Sequence, residues 1–235
     1  MKHMPRTLDG TFRFRLSSIL PHAIAGGLFG GFMAMAMVAF AQEANGLHPN
    51  ISHAALQSVL PADARLLDDA AVIERFLEAL DGSSPNWNEI YGDHGVGHDE
   101  RLYALNRKRD QLRKGRDELT SRLTFLWTGE LSRYDLDLGA FHVAMGPKLI
   151  LTRWGIVRFK PDDLPSNLVA VPPPTLSESL QERVSTGKRV EIDVAITGRL
   201  LLDESIIYDF AHDEPGHGMV MPVVRVERID YVLNE

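Results

Sequence analysis

The stretch VEIDVAITGRLLL (Val190–Leu202) decides the fold class. Val190, Ile192, Val194 and Ile196 alternate with Glu191, Asp193, Ala195 and Thr197. A period of two predicts a strand of an antiparallel sheet, with one face buried and the other wet. Gly198 interrupts the pattern, and a glycine inside a strand marks a bulge or a close backbone approach. Asp193 and Arg199 fall on the face expected to be wet, where they read as a cross-strand ion pair of small weight.

The same arrangement occurs earlier in LTFLWTGEL (Leu123–Leu131), where Phe125 and Trp127 alternate with Thr124 and Leu126 before Gly129. Trp127 and Trp154 both sit in strand patterns and are expected in the core. Further strands are predicted at Phe141–Ala144, Leu149–Phe159, Leu168–Val171, Ser205–Phe210 and Met219–Val232. The last slips its alternation between Val226 and Ile229, which predicts a bulge near Glu227 and Arg228. Gly139, Gly146-Pro147 and Pro161 to Pro165 supply turns. Pro172-Pro173-Pro174 is a stiff spacer, and Thr175 with Glu178 reads as a capping box for a short helix ending at Gly187. Thr128-Gly129-Glu130-Leu131 and Thr197-Gly198-Arg199-Leu200 echo one another, each followed by Tyr-Asp and an apolar residue. The echo suggests two related β units in one curled sheet or barrel.

Ahead of this region the period is helical. Ser52 is placed to cap a short helix that ends at Pro61. Val72, Ile73, Phe76, Leu77 and Leu80 form one stripe, with Asp68 or Asp69 before it and Gly82 at its C-terminal cap. Residues 82–97 read as a turn-rich loop. Asp99 then fits the N-cap of a long helix to about Ser121 that Gly115 breaks. Arg107, Lys108, Arg109, Arg113, Lys114 and Arg116 form its basic face, which reads as solvated.

Composition bounds the address. Lys2, Arg6, Arg13 and Arg15 precede an uncharged run from Ala23 to Ala41 that ends Ala39-Phe40-Ala41. A basic start, an apolar core and a small-x-small site describe a secretory signal peptide over residues 1–41. The alternative is an uncleaved membrane anchor within residues 16–41, whose Gly26, Gly27, Gly30 and Gly31 have the spacing of packed membrane helices. The chain has a formal net charge of −7 and no cysteine. Loss of residues 1–41 makes it more acidic still, which argues against nucleic acid as a partner. Without disulfides the fold rests on a hydrophobic core, for which 235 residues suffice.

The sequence holds no Gly-x-Ser-x-Gly, no Gly-x4-Gly-Lys, no HExxH and no complete Gly-x-Gly-x-x-Gly. Two histidine–carboxylate loops remain, over residues 93–100 and 212–217. If they met, His94, His98, His212 and His217 could hold a divalent metal such as zinc, and Glu214 or Glu100 could activate a bound water. Trp87 and Tyr91, beside Asn86, Asn88 and Glu89, are candidates to stack on a sugar or a peptide.

The expectation is therefore an α+β chain. A signal peptide (1–41) precedes a helical region (42–122) packed on an antiparallel, possibly duplicated, sheet or partly open barrel (123–235), with the Pro-rich linker and short helix at 172–187. Function is expected to be non-enzymatic binding or scaffolding in the cell envelope, most simply the periplasm, with an envelope protein or small ligand as partner and no cofactor. The alternative is a metal-dependent hydrolase built on the two histidine loops.

Overall fold

The computed structural model describes residues 46–49, 51, 53–92, 97–212 and 217–234, with His53 and Ala54 described in backbone only. The expected signal segment 1–41 and Ser52 lie outside the described residues. Among the described residues no helix is long and apolar enough to cross a membrane.

The protein is mixed α+β, built on a large, mostly antiparallel sheet that does not close; eleven strands are assigned among the described residues. Its spine is the last strand, β11 (Gly218–Leu233), rather than Val190–Leu202. The N-terminal half of β11 pairs with β10 (Ile206–Phe210) and β6 (Gly155–Val157). Its middle takes β7 (Lys160–Asp162), and its C-terminal half takes β9 (Glu191–Leu200) and β1 (Leu47–His48). One strand can serve so many partners because it bends: its register shifts between Val226 and Arg228, where the sequence predicted a bulge.

β9 also pairs with β3 (Arg122–Asp135), β3 with β4 (Ala140–Gly146), and β4 with β8 (Val169–Ala170). β2 (Ala64–Leu67) runs parallel to β3. Beyond β8 a single bridge joins Val171 to Gly46, with the Leu47 amide donating to the Val171 carbonyl at 2.8 Å. The chain thus returns from β8 towards β1 and β11 through one contact, without a ladder.

Helix α2 (Ala70–Asp81) follows its sequence closely. The Asp69 carboxylate accepts from the Val72 amide, Gly82 ends the helix at φ 78°, and Ile73, Phe76, Leu77 and Leu80 are buried. These side chains join Phe125, Trp127, Val194, Ile196, Tyr231 and Leu180 of α5 (Pro174–Ser185) in the main core. A smaller cluster covers the opposite face of the sheet, where Leu56 and Leu60, on and just after α1 (His53–Val59), meet Leu66, Leu126, Ala195 and Val232.

That second cluster corrects the reading of Val190–Leu202. Ala195 and Thr197 are fully buried, so the centre of β9 is buried on both faces. Gly198 stays in register with β3 but lies beside the register shift of β11, and a Cβ there would run into the carbonyl of Arg225, so it serves both the bulge and close approach. Gly129 plays a similar part against Val194, 2.7 Å from where a Cβ would stand. The two echoed motifs lie on adjacent, directly paired strands, with Gly129 opposite Ile192 and Gly198 opposite Leu123. Arg199 ion-pairs with Glu227 and Asp63 rather than with Asp193, because Glu227 comes alongside when β11 bends.

Other expectations change locally. The segment Leu149–Phe159 is a hairpin, β5 (Ile150–Thr152) turning through Arg153-Trp154 into β6, and Pro161 lies in a strand rather than a turn. Helix α4 runs His98–Arg113, with Gly97 in the left-handed region as its cap and Asp99 already inside the first turn. A 3-10 turn at Asp117–Thr120 follows Gly115, as the break predicted. Helix α5 starts on Pro174 without a side-chain cap, since proline at the first helical position is already preset for the helix. A short helix, α3 (Trp87–Tyr91), occupies part of the expected loop, capped by the Asn86 side chain on the Glu89 amide.

Candidate functional site

Aromatic side chains connect residues that flank the two histidine loops, whose centres, 93–96 and 213–216, lie outside the described residues. Tyr91, at the end of α3, donates its hydroxyl to the His217 carbonyl at 2.6 Å. Its ring lies 4.7 Å from that of Phe210, the last residue of β10, and the His98 ring meets the same Phe210 edge-on at 4.8 Å. Loss of water around Tyr91, helped by the nearby Asp209 charge, raises its hydroxyl pKa above the ordinary value, against a lowering contact with the backbone at Ala211. His98 Nε2 stands 3.0 Å from Asp99 Oδ1, and His212 and His217 are exposed. His94 and Glu214 lie outside the described residues. Among the described residues, no three histidine or carboxylate side chains gather as a metal-ligand set.

Trp87 faces inward from the same helix. Its indole N–H donates to the Trp154 carbonyl at 2.8 Å, and its ring covers Gly218 so closely that a Cβ there would fall inside the indole. Trp87 and Tyr91 thus brace the β10–β11 hairpin: one holds the turn before β6 against the start of β11, the other ties down the residue before it.

The basic face of α4 is the clearest correction. Arg109 and Arg113 are 7 % and 1 % exposed. Arg113 forms a two-point ion pair with Asp81, Nε to Oδ1 at 2.7 Å and Nη2 to Oδ2 at 2.8 Å. Its Nη1 donates to Asp110 and to the Ile206 carbonyl, both at 3.1 Å. The Tyr208 hydroxyl donates to the same Asp81, and Arg109 donates to the Asp81 carbonyl. Both guanidinium groups lie over the Tyr208 ring, at 5.7 and 5.6 Å. Burial works against the Arg113 charge, but the hydrogen bonds and charge of Asp81 outweigh it and raise its pKa. Burial and the Asp81 charge push the Tyr208 hydroxyl well above its ordinary value, so it stays a donor. Each member has a partner. The cluster pins α2, α4 and β10 together and leaves no group free to act on a substrate.

The opposite arrangement occurs where β6 leads into β7. A cavity of about 360 Å³ is walled by Trp127 of β3, Phe159, Pro161, Leu164 and Met221. Two cations, Arg158 and Lys160, line it as well, and no carboxylate does. They are alternate residues of one extended segment, so both side chains stand on one side of it. Both are exposed, and neither has an ion-pair or side-chain hydrogen-bond partner among the described residues. Trp127 is 9 % exposed, and its indole N–H is buried with no acceptor. Tyr231, across Val194 in the same transverse row of the sheet, also has a buried hydroxyl without a partner. Burial, with a smaller push from Asp230, raises that hydroxyl to about 12.

Sequence reading named neither Arg158 nor Lys160. The alternation in RFKP (Arg158–Pro161), charged and apolar by turns, carried a signal for a two-sided segment, but not the pairing that sets it over Trp127. Family models, curated proteins and solved structures yield no match to this chain.

Proposed function

We propose that this chain is a non-enzymatic small-ligand-binding protein of the cell envelope. The observation that carries the reading is the cavity beside Trp127, which combines an apolar wall with two cations, Arg158 and Lys160, that have no ion-pair partner among the described residues. Ligand sites are concave and mostly apolar, with a few polar groups that fix orientation, and about 360 Å³ lies at the small end of their range. The basic start and Ala-x-Ala ending of residues 1–41 support an exported location. The absence of cysteine is compatible with a compartment where free thiols would be oxidised.

The test uses the neutral dye Nile red with the protein and with Met221→Trp, which places an indole in the cavity. Saturable dye emission that falls at least tenfold in affinity in Met221→Trp supports the reading. Emission unchanged by that substitution, with the fold intact by circular dichroism, overturns it.

A metal-dependent hydrolase is the second reading, favoured by the contacts of His98 with Phe210 and of Tyr91 with the His217 carbonyl, at the borders of the two histidine loops. Zinc or manganese that binds only the folded state must raise the melting temperature. A rise abolished by His98→Ala with His217→Ala would support it, and no rise with either metal would remove it.

A further inference from the structure

The cavity beside Trp127 has a polarity of its own, and its ends can be told apart. Trp127, Phe159, Leu164 and Met221 give it an apolar body. Arg158 and Lys160 concentrate positive charge on the side where the β6–β7 segment meets solvent. The nearest acidic residues in sequence, Asp162 and Asp163, lie 3.9 Å from the Arg225 guanidinium and do not line the cavity. This local excess of positive charge stands out in a chain whose net charge is −7. In an acidic protein a neutral or cationic ligand would not need two unpaired cations at the entrance, whereas an anionic head would find there the opposite of the surrounding field.

Resting on the binding reading above, we propose that the cavity takes an amphipathic carboxylate, an acyl or aryl body with one anionic head. The apolar body lies against Trp127, Leu164 and Met221. The head sits between the Arg158 guanidinium and the Lys160 ammonium, where charge-assisted hydrogen bonds are stronger than neutral ones. The planar guanidinium fits a carboxylate through two parallel bonds, and Lys160 adds a point charge beside it. No covalent step is involved.

The experiment compares three probes of equal chain length by calorimetry on the full mature chain: decanoate, decanol and decyltrimethylammonium. Decanoate is expected to bind at least tenfold more tightly than decanol, with no detectable binding of the ammonium probe. The preference should weaken as salt rises, because the head pairs at a solvent-exposed mouth. Arg158→Glu combined with Lys160→Glu should remove the preference for decanoate over decanol, with the protein still folded by circular dichroism. Equal affinity for decanoate and decanol, or decanoate binding indifferent to the double reversal, overturns the carboxylate assignment. Either of those results can coexist with cavity binding of Nile red. If Nile red binding is also indifferent to Met221→Trp, the binding reading falls as well. Because Arg158 and Lys160 are exposed and unpaired, the double variant is expected to fold, so a loss of binding is not a loss of structure.

Discussion

Arg113 and Arg158 both stand beside aromatic side chains, and they differ in burial and in partners. Around Arg113 all three guanidinium nitrogens donate: Asp81 takes two of the bonds, Asp110 and the Ile206 carbonyl take others, and Tyr208 completes the carboxylate. Among the described residues no protein acceptor meets the side-chain donors of Arg158 or Lys160, or the Trp127 N–H. Similar chemistry therefore serves opposite ends. A closed network fixes helices to a sheet, while an open one is what the proposed binding reading requires. Degree of satisfaction, rather than residue type or burial alone, separates the structural arginine from the candidate binding one.

The largest effect that tests this contrast is on stability. Arg113→Ala leaves the Asp81 carboxylate buried without its counter-charge and should cost about 3–5 kcal/mol in urea unfolding. Arg113→Met with Asp81→Leu should recover much of that loss, because an apolar pair of similar volume removes both desolvation penalties. A double variant no more stable than Arg113→Ala would show that the cluster does more than join α2, α4 and β10.

Next in size is Gly218→Ala, whose Cβ cannot coexist with the Trp87 indole. A forced shift of this kind costs roughly 1–3 kcal/mol, readable as a lower melting temperature. A preserved melting temperature would mean that Trp87 moves freely and does not brace the hairpin.

Tyr208 gives a pH test of the closed network. Its hydroxyl titrates higher in the folded chain than in the unfolded one, where the ordinary value is 10.0. Its contribution is therefore complete below pH 10 and declines above it, as the unfolded chain releases a proton that the folded chain retains. Tyr208→Phe should flatten the fall in stability above pH 10 relative to the parent chain, measured by urea unfolding at a series of pH values.

The smallest expected effect lies at the open site. Arg158→Glu with Lys160→Glu should change stability by no more than about 0.5 kcal/mol, since neither cation has a partner to lose. A larger loss would place these cations in a structural network and blur the contrast on which the binding reading depends.

What was legible in the sequence is what depends on local pattern. Helix α2 can be read from its stripe, its Asp69 cap and its terminal Gly82, all encoded within fifteen residues of one another. The bulge in β11 shows as a slip in alternation between Val226 and Ile229. The Trp87–Tyr91 segment read as loop because a helix of five residues has no period to display. Pairings over long separations left no trace. β1 is two residues long and β2 four, and both are defined by partners more than fifty residues away.

The candidate sites divide in the same way. His98 and His217 were visible as residue types, but their contacts, with Phe210 and with Tyr91 respectively, are set by the tertiary structure. The cations of α4 read as a solvated face because charge rarely goes inside unpaired, and Asp81, the partner that permits it, is 32 positions away from Arg113.

By itself, then, the sequence determined the α+β class, the capped helix, the strand period and the bend of the final strand, since each follows from the spacing of apolar residues along a few turns or pleats. Tertiary structure decided the rest. It buried the second face of Val190–Leu202 under α1, paired Arg199 with Glu227, closed the network around Arg113, and left Arg158, Lys160 and Trp127 unmatched. Burial and partnership are properties of what lies opposite in space, and a periodic pattern fixes only which way a side chain points.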